Sequence, residues 1–252
     1  VTGCSKVSQG CKFCFAERFF PRVYSRPDRA GAFRKFTDVQ CHPERLEQPL
    51  RIRKPQRIFV NSMSDLFHED IPLAFLQQVW RVMVRAHRER GHIFQVLTKR
   101  PARMLECLGP RGFGWYAKEG PVPNPEPGIW LGVSVEDQTT ADERIPLLLQ
   151  TPAAVRFVSY EPALGPVDFS MWLMTLYHDT ITLNQTKRRG RLGFDHQVKH
   201  HGKETPLNQI IVGGESAQGG KMARPFVIGW ARDTLRQCRA SGIAFFMKQF
   251  GS

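Results

Sequence analysis

The sequence predicts an α/β fold of the (βα)6 type, with parallel strands curled toward a barrel, and three observations carry that expectation. Six short apolar or β-branched runs recur along the chain, amphipathic stretches fall between them, and polar residues gather where the runs end. Strands covered on both faces read as continuous apolar runs, and their alternation with helices is the rhythm of βα units around a parallel sheet. At 252 residues, 41% of them hydrophobic, the chain can bury a sizeable core, and one domain is expected over 1–252.

The elements follow in order. RIFVNS (57–62) is the first strand, and LAFLQQVWRVMVRAHRER (73–90) has apolar residues at helical spacing. HIFQVLT (92–98) is the second strand, with a helix expected to start near Pro101. Residues 110–128, rich in Pro and Gly, read as an irregular loop. IWLGVSV (129–135), the helix QTTADERIPLLLQ (138–150) and VRFVSYE (155–161) come next. Residues 170–207 interrupt the rhythm and are expected to be an irregular insertion, either disordered or folded over the barrel mouth. QIIVGG (209–214), the helix FVIGWARDTLRQCRA (226–240) and IAFFMKQ (243–249) close the chain.

Polar residues stand at the strand ends: Ser62, Ser64 and Asp65; Thr98 and Lys99; Ser134 and Glu136; Ser159 and Glu161; Glu215 and Ser216; Lys248 and Gln249. In a parallel barrel that edge is where the βα loops converge and ligands bind. The plainer reading of any one of them is a loop or capping residue. Six strand ends in succession point to one site.

The formal net charge is +13, concentrated between Lys12 and Arg57 and again at Lys187, Arg188, Arg189 and Arg191. Lys and Arg gain free energy by displacing counterions from phosphates, so a nucleic acid or nucleotide is the expected partner, with a solvated basic surface as the alternative. No run of about 18 apolar residues is present to span a bilayer, and no basic-then-apolar leader stands at the start. The protein is expected to be soluble and cytoplasmic, without membrane contact. It opens at Val1 rather than Met, just before a motif that would ordinarily follow a strand, so the N-terminus is expected to be incomplete.

Six cysteines are present, three of them within eleven residues. A disulfide framework belongs to short secreted chains, whereas clustered thiols in this setting point to metal. Cys4, Cys11 and Cys14 are spaced C-x6-C-x2-C, and Gly3 and Gly10 directly precede two of them, which lets the backbone wrap closely. Three thiolates on a cubane leave one iron open to a ligand, while structural zinc takes four closed ligands, which Cys41 or His42 would complete. Both readings remain open on spacing alone. Cys107 and Cys238 lie in helical stretches and read as core thiols. His196, His200 and His201 lack a partnering cysteine and read as part of a solvated loop more than a metal site.

The stretches GCSKVSQGCKFCFAERF, VNSMSDLFHEDIP, FQVLTKRP, WLGVSVEDQ, ADERIPLLLQTPAAVRFVSYEPALGPVD, IIVGGES and FFMKQFG together cover nearly everything but 110–128 and 170–207. With the cysteine loop, they resemble the radical S-adenosylmethionine superfamily, and more closely a phage- and bacteria-associated three-cysteine family long without an assigned function. The superfamily's commonest spacing is C-x3-C-x2-C, so the six-residue first gap is a departure. The resemblance implies a partial TIM-like barrel, with a 4Fe-4S cluster on Cys4, Cys11 and Cys14. S-adenosylmethionine would chelate the fourth iron, and an external electron donor would drive its reductive cleavage. It further implies that Phe13 packs near the adenine, that Ser62, Ser64 and Asp65 form the turn that binds the methionyl amino group, and that Ser134 and Glu161 bind ribose or carboxylate. Gly213 and Gly214 would admit the adenine to the backbone, and Lys99 would pair with the methionyl carboxylate or a substrate phosphate. Plainer roles stand beside these: Phe13 packing under the barrel, Asp65 capping the helix near Pro72, and His68 as a loop histidine rather than a proton donor. Nucleic acid or nucleotides are the expected substrate, in DNA modification or repair, and a base in a duplex would have to be flipped out or met on a single strand. Two alternatives are a noncatalytic nucleic-acid-binding module stabilised by zinc or a cluster, and a radical enzyme acting on a small metabolite or peptide.

Overall fold

The computed structural model describes residues 1–24, 33–109, 112, 125–173, 207–217 and 222–251, and the backbone of 179–188 and 191–200. Its elements are α1 (Phe15–Val23), α2 (Gln48–Arg51), β1 (Arg57–Val60), α3 (Leu73–Arg90), β2 (Ile93–Thr98), α4 (Pro101–Leu108), β3 (Ile129–Val135), α5 (Gln138–Gln150), β4 (Val155–Tyr160), α6 (Ser170–Leu173), β5 (Asp179–Arg188), β6 (Arg191–His200), β7 (Gln209–Gly213), α7 (Ile228–Ser241) and β8 (Ala244–Gln249).

Six strands form one all-parallel, curled sheet in the order β1-β2-β3-β4-β7-β8, a half-barrel whose crossovers carry α3, α4, α5 and α7. Between β4 and β7 the chain makes α6 and then an antiparallel ribbon of its own, pairing Asp179 with His200 through to Arg188 with Arg191. The side chains of Lys187, Arg188, Arg191, His196 and His200 lie outside the described residues, as do Arg189, His201 and nearly all of 110–124.

Side chains alternate across a strand, and here one set meets the helices while the other lines the concave face. Phe94, Val96, Leu131, Val133, Val158, Tyr160, Ile210 and Val212 form the buried layer beneath the helices. Helix α3 sets Leu76, Trp80, Met83 and Val84 against it and ends at Gly91, whose φ of 71° provides the left-handed stop. A capping box opens α5: the Asp137 carboxylate accepts from the Thr140 N–H at 2.9 Å, and the Thr140 hydroxyl accepts from the Asp137 N–H at 3.1 Å. On the concave side Gly132 lies in register with Phe157, and a Cβ on that glycine would stand 2.5 Å from the Phe157 ring. The aromatic side chain therefore fills the floor of the face. Among the described residues no helix is long and apolar enough to cross a membrane.

Candidate functional site

The concave positions at the carboxyl ends of β1 to β4 border a cavity of about 240 Å³, and the N-terminal loop closes its other side. Cys4, Cys11 and Cys14 line it, together with Ser62, Ser64, Asp65, Lys99, Ser134 and Glu161. The strand parity explains the grouping, because Leu97, Lys99, Ser134, Ser159 and Glu161 all fall on the face turned away from the helices.

The loop that carries the cysteines is fastened at both ends of its long gap. Thr2 pairs with Gln40 and Gly3 with Ser64, while Cys4 N–H donates to Phe36 O at 2.9 Å. Gly3 takes φ 93°, and a Cβ there would stand 2.7 Å from Asp38 O, so no other residue fits without displacing the backbone before Cys4. Arg34 clamps the same segment, donating from Nη1 to Thr2 Oγ1 and from Nη2 to Thr2 O, each at 2.8 Å. At the far end, Glu136 accepts from Ser8 Oγ at 2.5 Å and from Gly10 N–H at 2.9 Å. A Cβ on Gly10 would lie 2.5 Å from the Glu136 carboxyl carbon. The longer first gap of the cysteine motif is thus the part of the loop tied to the end of β3.

Arg100, at the end of β2, ties down the other side. Its Nη2 donates to Ser5 Oγ at 2.7 Å, its Nε to Glu69 at 2.8 Å, and its Nη1 reaches Cys4 Sγ at 3.6 Å. His68 is buried behind Ser5. Its Nδ1 accepts the Asp70 N–H at 3.1 Å, and its Nε2 accepts the Ser5 N–H at 3.2 Å and lies 2.8 Å from Ser5 Oγ. Cys14 stands at the N-cap of α1, facing the first backbone N–H groups of the helix.

The charges are unevenly settled. Burial opposes ionisation of Glu136, yet Lys99, Ser8 and Gly10 hold its carboxyl down at about 2. Lys99 pairs directly with Glu136, and Arg144 reaches the same carboxylate at 3.3 Å. Arg100 holds Glu69 at about 2. Burial pushes the Cys4 thiol up to about 11 with Arg100 working against it, and raises Cys14 against the N–H groups of Glu17 and Ala16. Burial, and then Arg100, draws His68 below the usual imidazole range.

Asp65 is a bracket. Its Oδ1 accepts from Phe67 N–H at 2.9 Å and Thr98 Oγ1 at 2.7 Å, and its Oδ2 from Lys99 N–H at 2.9 Å and Arg100 Nη1 at 3.4 Å. It does not cap α3, whose N-cap is Pro72. Asp65→Asn would turn an amide NH2 toward donors at one oxygen position, and urea unfolding is expected to show a loss of about 2–3 kcal/mol, the cost of buried donors left facing each other. Unchanged stability would show that these four bonds do not hold the strand ends together.

The remaining expected residues divide. Ser64 Oγ donates to Val1 O at 3.1 Å and Ser134 Oγ to Glu161 O at 3.1 Å, so both hydroxyls keep only acceptor capacity. Glu161 accepts from Lys248 Nζ at 2.8 Å. Gly213 backs onto the Glu161 carboxylate, with a Cβ position 3.1 Å away, whereas a Cβ on Gly214 would stand 2.5 Å from Phe250 O. Phe13 lies outside the cavity wall, with the Arg224 guanidinium 5.3 Å from its ring centroid. Arg224 in turn makes a two-pronged pair with Glu215, at 2.9 and 2.5 Å. Asn61 was not anticipated. It ends β1 in a left-handed conformation, φ 62°, borders the cavity, and its buried Nδ2 has no hydrogen-bond partner among the described residues. Backbone held in that region and an orphan donor both mark ligand-binding positions.

Cys4, Cys11 and Cys14 together offer three thiols, the number that a cubane with one open iron would take. All six cysteines are free, and three of them share one cavity. Among the described residues no three His, Cys, Asp or Glu side chains converge on a single ion. Cys41 and His42 do not border this cavity, and the His42 ring is engaged at Nε2 by Thr2 (2.8 Å) and at Nδ1 by Glu44 (3.0 Å).

A family model described as a protein of unknown function, DUF5131, matches residues 1–252. No curated protein and no solved structure matches the chain.

Proposed function

The chain belongs to the DUF5131 family, and we propose that it is a radical S-adenosylmethionine enzyme acting on nucleic acid or nucleotides, in DNA modification or repair. One observation carries the reading: Cys4, Cys11 and Cys14 meet polar residues from the ends of four parallel strands around one cavity. When bound on those thiols, a 4Fe-4S cluster supplies the electron for reductive cleavage of S-adenosylmethionine, with an external donor renewing it.

The chain's own residues do the rest. Arg100, beside Cys4, offsets negative charge on the sulfur side of the site, and Glu136 with Asp65 keeps the loop in shape. Asn61, in its left-handed turn after β1, borders the cavity, and Glu161 supplies an acceptor for an amino group or ribose hydroxyl. Phe59 and Leu97 give the cavity apolar walls that limit water around a reactive carbon. The substrate class rests on the net charge of +13.

The test is anaerobic reconstitution with iron and sulfide, dithionite reduction with S-adenosylmethionine, and chromatography for 5′-deoxyadenosine. The expected result is deoxyadenosine that depends on both cluster and reductant. A fully loaded cluster that yields none, with or without DNA, would overturn the reading in favour of a noncatalytic binding module.

A further inference from the structure

Helix α1 leaves the cysteine site with two unlike faces. Ala16 and Phe20 point inward and are buried, and Ala16 is part of the cavity wall. Phe15, Arg18, Phe19 and Arg22 point outward, with Phe15 55% and Phe19 38% exposed. The two rings are already stacked, with centroids 5.6 Å apart and planes 19° from parallel. The Arg22 guanidinium lies 5.9 Å from the Phe19 centroid. All four side chains, with Ala217, line an open hollow of about 310 Å³. The helix's one acidic residue, Glu17, is matched by Lys6 at 2.9 Å, so among the described residues Arg18 and Arg22 have no carboxylate partner beside the rings.

Exposed parallel rings cost solvation unless something flat covers them, and flanking arginines select a flat group that carries phosphate. Bases of a single strand stack on aromatic faces while Arg or Lys follows the backbone. Bases inside a duplex present no free face. We propose that the outer face of α1 is a stacking platform for single-stranded nucleic acid, which delivers a base to the adjoining cysteine cavity. This rests on the proposed function for the delivery, and on the α1 geometry alone for the binding.

The test uses the full chain with a labelled oligothymidine and with its duplex with oligodeoxyadenosine, by fluorescence anisotropy over a range of salt. Tighter binding of the single strand is expected. Phe15→Ser combined with Phe19→Ser should weaken it by about tenfold or more for each ring, with the thermal melt unchanged because both rings are exposed. Arg18→Gln with Arg22→Gln should lower the slope of log affinity against log salt by about 1.4, two single-strand phosphates' worth. Equal affinity for the duplex, or parent-like binding by the serine variant, would overturn the proposal. So would a serine variant that loses self-association in sedimentation yet keeps strand binding, which would assign the face to a second copy of the chain. Deoxyadenosine release, measured both with and without nucleic acid, separates the two readings. Release with platform-independent binding would sink the platform alone, and platform-dependent binding without release would sink the radical chemistry alone.

Discussion

Cys11→Ala, reconstituted beside the parent protein, is expected to yield less than about one hundredth of its 5′-deoxyadenosine. Loss of a mere outer-shell partner of a metal ligand typically costs 10–100-fold, and the ligand itself is worth more. Cys11 is the cleanest of the three to remove. Cys4 Sγ touches Arg100, and the Cys14 thiol, at the N-cap position of α1, faces the Glu17 and Ala16 N–H groups, so alanine at either would also alter the surroundings of a charge or of those N–H groups. Cys11 sits in a short turn whose backbone bond, Cys11 N–H to Ser8 O at 3.0 Å, alanine preserves. The variant should therefore melt like the parent while losing the visible absorbance of the cluster. Cys41→Ala serves as the control, because Cys41 lies outside the cavity. Loss of bound metal from Cys41→Ala equal to that from Cys11→Ala would establish a closed four-ligand site and end the radical reading.

Glu136→Gln is expected to destabilise the fold by about 3–5 kcal/mol, because it leaves Lys99 and the buried Arg144 without their anion. Linkage gives a similar size: depression of the carboxyl from 4.5 to about 2 corresponds to about 3 kcal/mol. The dependence on pH has a definite sign. A carboxyl whose folded-state pKa is lowered contributes fully above its unfolded value and loses that contribution as pH falls through the folded one. The gap between parent and variant should thus be complete at neutral pH and close between about 4.5 and about 2. Urea unfolding at a series of pH values measures it. A gap that is absent at neutral pH, or that widens in acid, would show that Glu136 is not the anchor described. The amide leaves one acceptor oxygen for the two donors Ser8 and Gly10, so on the proposed reading iron retention should fall with stability.

The strands were legible because each is an apolar run with polar ends, and β3 spans the residues its pattern indicates, Ile129 to Val135. Helices α3 and α5 were equally plain, since their apolar positions recur at helical spacing between a turn signal and a Gly or a capping Asp. Helix α1 was not. FAERFFPRV places Phe on both faces and contains Pro21, so no single apolar stripe announces it. The ribbon of β5 and β6 hides in the same way, because TITLNQTKR and RLGFDHQVK show no sustained apolar run. At the site, the cysteines announced themselves through spacing, and the strand-end polar residues through repetition. Their actual partners did not. Glu136 meets Gly10 across 126 positions and Arg100 meets Cys4 across 96, and nothing local to either residue encodes the other. Polarity at a strand end also fails to separate a ligand-facing carboxylate from one, like Asp65, whose oxygens are already filled.

The anchoring of the cysteine loop sets an order of events during synthesis. The loop precedes its fasteners in the chain, for these are Ser64, Arg100 and Glu136, supplied by the ends of β1, β2 and β3. Contacts that span so much chain are made late, after the loop-closure entropy between them has been met. Until Glu136 has left the ribosome the three thiols have no shaped site. On the proposed reading, loading of the three thiols therefore follows the folding of β1, β2 and β3 rather than preceding it.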